Sequence, residues 1–116
     1  MAESPQMPNG VPGFACELHR DGDVVRIVPS GELDVASAGV LEQHIDEALS
    51  GGANRLVLDL GALTFMASTG LRMVLRLVEQ SGSDPGFELG VVRGPRQVQR
   101  VFELTRTDGR VPWLDG

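Results

Sequence analysis

Apolar residues along this chain recur at two different spacings, and the change from one to the other divides it into alternating elements. Phe14-Ala15-Cys16-Glu17-Leu18 and Val24-Val25-Arg26-Ile27-Val28 flank Asp21-Gly22-Asp23, which predicts a β-hairpin turned at Asp-Gly. Gly31-Glu32-Leu33-Asp34 comes next, and Asp34 is placed to cap a helix, because its carboxylate can accept bonds from unpaired backbone N–H groups. From Val35 the pattern turns helical: Val40, Leu41, Ile45, Ala48 and Leu49 fall on one face, and Glu42, Gln43, Asp46 and Glu47 on the other. Gly51-Gly52 ends that helix, since glycine readily takes the left-handed conformation that closes helices.

Leu56-Val57-Leu58-Asp59-Leu60 is nearly all apolar, as suits a strand covered on both faces of a parallel sheet. Beyond Gly61-Ala62-Leu63-Thr64-Phe65-Met66 lies Ala67-Ser68-Thr69-Gly70, and a second helix is expected from about Leu71 to Gln80. Leu71, Val74, Leu75 and Val78 form its core stripe, and Met73 and Leu77 widen the apolar surface to the side. Ser81-Gly82-Ser83-Asp84-Pro85-Gly86 reads as a turn-rich link, and Phe87–Val92 as a further strand. Pro95 opens a third helix with Val98, Val101 and Phe102 facing inward, and Val111–Leu114 gives a short last strand held to an edge by Pro112. The order β-β-α-β-α-β-α-β predicts an α/β domain over residues 14–116: a small mixed sheet with helices packed against it and right-handed crossovers. Residues 1–13, with their prolines and glycines, read as a flexible tail.

The most informative spot for chemistry is Ser68-Thr69-Gly70 at a helix start. The first N–H groups of a helix lack internal partners and the macrodipole adds partial positive charge there, so such an end favours anions. A phosphate on Ser68 or Thr69 would land on those groups; the simpler alternative is that Ser68 only caps the helix. An esterase elbow needs G-x-S-x-G, but Met66-Ala67-Ser68-Thr69-Gly70 lacks the first glycine, and His44 precedes the serine. Met73 and Leu77 are read either as core or as a shallow apolar contact patch beside Ser68.

Composition narrows the choice of function. The formal charge of −6 argues against nucleic acid as the direct ligand. All ten basic residues are arginine, so no phosphate-binding loop with its lysine exists. One cysteine, Cys16, permits no internal disulfide, and with only His19 and His44 besides, neither a metal site nor a cofactor is expected. Cys16 is read as a buried thiol. No apolar run is long enough for a membrane span and the start does not resemble a signal peptide, so a cytoplasmic protein is expected.

Gly31-Glu32-Leu33-Asp34, Leu56-Val57-Leu58-Asp59-Leu60 and Thr64-Phe65-Met66-Ala67-Ser68-Thr69-Gly70-Leu71, with Val101-Phe102-Glu103-Leu104-Thr105, resemble the STAS domain in its anti-sigma factor antagonist branch, over about residues 14–114. The resemblance implies a non-enzymatic partner of an anti-sigma factor that is also a serine kinase using ATP. Binding would free a sigma factor, phosphorylation of Ser68 (or less readily Thr69) would end binding, and a separate phosphatase would restore it. It also implies a partner-facing set of Glu32, Asp34, Ser68, Thr69, Gly70, Arg72 and Met73. At Ala67 the chain departs from the family, which usually has Asp before the modified serine. That departure keeps open a rival reading: a phosphorylation-independent STAS subunit of a lipid-transport or other membrane-associated complex. Nucleotide binding at the Ser68 helix start is a further alternative.

Overall fold

In a computed structural model, which describes residues 11–83 and 87–114, the chain opens with the predicted hairpin: β1 (Phe14–Asp21) pairs antiparallel with β2 (Val24–Leu33). Gly22 carries φ +65 in the two-residue turn, the only positive φ between the strands, as the II′ geometry that matches strand twist requires. Helix α1 (Val35–Ser50) leads back to β3 (Arg55–Asp59), which pairs parallel with the first half of β2, Val24–Ile27. A short strand not anticipated from the sequence, β4 (Leu63–Met66), then pairs parallel with the end of β2, from Gly31 to Leu33. The register of β2 shifts between Gly31 and Glu32, where one neighbour gives way to the other.

Helix α2 (Ser68–Ser83), β5 (Glu88–Val92), α3 (Arg96–Leu104), a 3₁₀ turn (Asp108–Arg110) and β6 (Trp113–Leu114) complete the chain. The six strands run in the order β1-β2-β3-β5-β6, with β4 on β2. Every pairing but that of β1 with β2 is parallel. The fold is thus the mixed α/β sheet expected, with one strand more than predicted. Pro95 is the N-cap of α3, and Gly51 the C-cap of α1.

Strand residues alternate between two faces. Val25 and Ile27 of β2, Leu56 and Leu58 of β3 and Val91 of β5 are buried and join Leu41 and Ile45 of α1, Val74 and Leu77 of α2, and Val98 and Phe102 of α3 in one core. Each such side chain contributes roughly 1.5–3 kcal/mol by leaving water. The other face, with Glu17, His19, Arg26, Val28 and Asp59, forms a shallow hollow. There Arg26 and the largely buried Asp59 form an ion pair, and the Gly61 N–H donates to the same carboxylate at 2.8 Å.

Several local expectations change. Ser81, Gly82 and Ser83 belong to α2 rather than to a link, and residues 84–86 lie outside the described residues. The predicted tail does so too up to residue 10. Residues 11–13 instead turn back onto the sheet: the Glu32 N–H donates to Gly13 O at 3.0 Å, and Val11 bridges Phe14. Gly31 faces that turn at φ +92, and a Cβ there would sit 1.9 Å from the Gly13 oxygen, so only glycine lets the two backbones meet.

Candidate functional site

Because β2 and β4 are parallel neighbours, with Leu33 opposite Met66, they deliver two helix starts side by side at one end of the sheet. The Ala67 N–H donates to Leu33 O at 2.8 Å and ties the two exits together. Gly70 makes this closeness possible: a Cβ on it would lie 2.8 Å from Leu33 Cγ and 3.1 Å from Leu33 O. Helix α2 can therefore lie against the end of β2 only with no side chain at that position.

The two starts are capped differently. At α1, the Asp34 carboxylate accepts from the backbone N–H of Ala36 at 3.1 Å and of Ser37 at 3.2 Å. The Ser37 hydroxyl accepts from the Asp34 N–H at 2.9 Å and donates to Glu32 O at 2.7 Å. This is a reciprocal cap, with a fully buried serine standing where Glu or Gln is usual. The Ser37 backbone bond, chiefly, holds the Asp34 carboxyl below its ordinary range, so the charge is fixed at neutral pH. A lowered folded-state pKa means that the cap's stabilisation is complete above the ordinary carboxylate range and is lost as pH falls through the folded value.

At α2 the cap position is Ala67, whose carbonyl accepts from the Leu71 N–H at 3.1 Å and whose side chain has no acceptor to offer. The backbone N–H groups of Ser68, Thr69 and Gly70 therefore have no carbonyl within the helix to bond. Ser68 stands first in the helix and is exposed, so it is not the cap residue. Its hydroxyl makes no hydrogen bond among the described residues. Thr69 is placed oppositely: its Oγ1 is buried and finds no partner among the described residues. Of the two hydroxyls, only that of Ser68 is presented to a macromolecule. We predict that Ala67→Asp stabilises the fold by about 1 kcal/mol, the usual worth of an acceptor at this position. Urea unfolding at pH 7 checks it, and the gain should vanish in acid as the new carboxylate protonates.

Glu32, Asp34, Ser68 and Gly70 thus meet at one end of the sheet, and Glu32 is exposed there. Arg72 is exposed one turn along α2. Met73 is not part of this surface: it is 2% exposed and Leu77 3%, so both belong to the core and the contact-patch reading fails. Two exposed apolar residues occupy the place instead. Val35, first in α1, is 75% exposed, and Phe65, opposite Glu32, is 50% exposed. Sequence reasoning treated Val35 as the first turn of an amphipathic helix and missed both; the signal available was an apolar residue directly after the Asp34 cap and another two residues before Ala67.

Elsewhere, burial raises the Cys16 thiol to about 11, so it remains protonated at neutral pH. Among the described residues no group of His, Cys, Asp and Glu could hold a metal ion, and no helix is long and apolar enough to cross a membrane.

A family model described as "Mlab, STAS domain" matches residues 16–114. The anti-sigma-F factor antagonist RsfB of Mycobacterium tuberculosis is 33% identical over 67% of this chain, and the match spans 62% of that protein's length. The crystal structure of an anti-sigma factor antagonist from Mycobacterium paratuberculosis has the same fold at TM-score 0.77 and 27% identity, covering 97% of this chain and 92% of that one. The unphosphorylated form of the anti-sigma factor antagonist SpoIIAA, at 21% identity, shares the fold at TM-score 0.68 over 87% of this chain and 89% of its own. The chain belongs to the STAS domain family.

Proposed function

We propose that this chain is an anti-sigma factor antagonist, a binding module rather than an enzyme, working in the cytoplasm. Its partner is an anti-sigma factor with serine-kinase activity, and its binding releases a sigma factor for transcription. The kinase would end the complex by transferring the terminal phosphoryl group of ATP to the Ser68 oxygen, which loses its proton as ADP leaves, and a phosphatase would restore the hydroxyl by hydrolysing the ester to inorganic phosphate. One observation carries the reading: Ser68 is an exposed, unbonded hydroxyl on the only one of two adjacent helix starts that has no side-chain acceptor. A phosphate there would find free N–H groups and a favourable dipole, so it would not unfold the domain. It would add about −1.5 to −2 charge beside the fixed charge of Asp34 and the exposed Val35 and Phe65, which alters the surface a partner meets.

The test is incubation with ATP and each kinase-like anti-sigma factor of the host, followed by mass spectrometry of the peptide. Phosphate on Ser68 that is absent from Ser68→Ala supports the reading; phosphate on another residue, or on none, refutes control at Ser68. A second reading is favoured by Ala67, which leaves a kinase without the usual adjacent carboxylate. In that reading the same surface, unmodified, holds a subunit of a lipid-transport or other membrane-associated complex. Recovery of membrane proteins in place of an anti-sigma factor in a pull-down would select it.

A further inference from the structure

Strand β1 ends the sheet: among the described residues it pairs along its length with β2, and on its outer side Phe14 alone is bridged, its N–H donating to Val11 O at 3.1 Å. Its eight residues, FACELHRD, include no proline or lysine and keep an unbroken register with β2. The edge therefore lacks the proline, lysine and bulge that commonly block strand addition. In a hairpin closed by a two-residue turn, the residues flanking the turn face each other's backbone, and hydrogen-bonded and non-bonded pairs alternate from there. Asp21, His19 and Glu17 accordingly direct their N–H and C=O groups to β2, whereas Arg20, Leu18 and Cys16 direct theirs to the outer edge, where no described strand meets them.

We propose that a second copy of this chain pairs with that edge, antiparallel, about a two-fold axis at Leu18. Leu18 is the outward-bonding residue nearest the middle of the strand. Centring there opposes Leu18 to itself, Cys16 to Arg20 of the other copy, and Glu17 to His19 of the other copy. The side chains agree with this register. Leu18 shares the core face with Ile27 yet is 41% exposed, and the facing Leu18 covers it. On the opposite face Glu17 and His19 already touch at 3.2 Å within one strand, and the two-fold doubles them into a ring in which carboxylates and imidazoles alternate. Shifting the axis by two residues sets Arg20 against Arg20 or Cys16 against Cys16 and shortens the overlap. A two-fold normal to the sheet keeps the helix layers of both copies on one side and continues the sheet across the junction. The proposal does not depend on the reading of Ser68, which lies beyond the end of β2 rather than on β1.

Sedimentation equilibrium of the full chain over micromolar to millimolar concentration is expected to show association to twice the 12.4 kDa chain mass. His19→Glu opposes Glu17 to a second glutamate and should weaken the dimer at least tenfold, with an unchanged circular dichroism spectrum. The double variant Glu17→Arg/His19→Glu sets a guanidinium opposite each new carboxylate and should recover it. A monomer at every concentration, a dimer indifferent to His19→Glu, or a double variant no better than the single one would overturn the proposal.

Discussion

Ser68→Glu should bind the cognate anti-sigma factor at least about a hundredfold more weakly than the unmodified chain, while Ser68→Ala should bind as well as it does. A hundredfold is about 2.7 kcal/mol, within reach of one charge forced against a contact surface. The same carboxylate is welcome to the domain itself, because it stands at the positive end of α2. Thermal unfolding of Ser68→Glu should therefore be unchanged or slightly raised, so loss of affinity cannot be mistaken for loss of fold. Calorimetric titration of both variants with the anti-sigma factor is the measurement, and equal affinities would sink the switch.

Phe102→Ala should cost about 3–5 kcal/mol, the range for emptying a buried aromatic site. Phe102 is fully buried and meets Trp113 edge-to-face at 5.0 Å between ring centres. Its carbonyl accepts from the Thr107 N–H at 2.9 Å, so the turn after α3 is built around the same residue. The Arg93 guanidinium lies over the Trp113 ring, 4.8 Å from its centre, and the indole N–H donates to Asp108 O at 2.8 Å. As the chain has a single tryptophan, its fluorescence during urea unfolding reports on this corner directly. A loss below about 1 kcal/mol would mean that the corner collapses around the gap, contrary to the packing described.

What could be read from the sequence was whatever one short segment decides for itself. Asp34 caps α1 because its own carboxylate reaches the amides two and three residues on, and Gly51-Gly52 ends that helix for equally local reasons. Strand β4 was missed because Leu63 and Met66 are buried while Thr64 and Phe65, between them, are exposed. That spacing of three is not the alternation of a strand, and its strand character comes only from pairing with β2. In α2 the buried arc holds Leu71, Met73, Val74 and Leu77, leaving Leu75 and Val78 partly buried at its margin. The arc is turned from the predicted stripe because α1, α3, β4 and β5 all contact the helix, and no spacing within one helix encodes where four neighbours stand. At the site, the exposed serine position was legible from its place after Met66, but the absence of any acceptor at the cap became meaningful only beside the occupied cap of α1.

The division of β2 between two parallel neighbours also bears on how such a domain can diverge. The chain leaving β3 does not cross the sheet to reach β4; it moves a few residues up the same strand. Helix α2 thereby takes its position from the last few residues of β2, Gly31–Leu33, while strand order elsewhere is governed by Val24–Ile27. Substitutions that re-aim the helix start can accumulate on one half of that strand without disturbing the pairing that holds the other. A single scaffold can in this way be retuned to new partners at one corner and remain the same protein everywhere else.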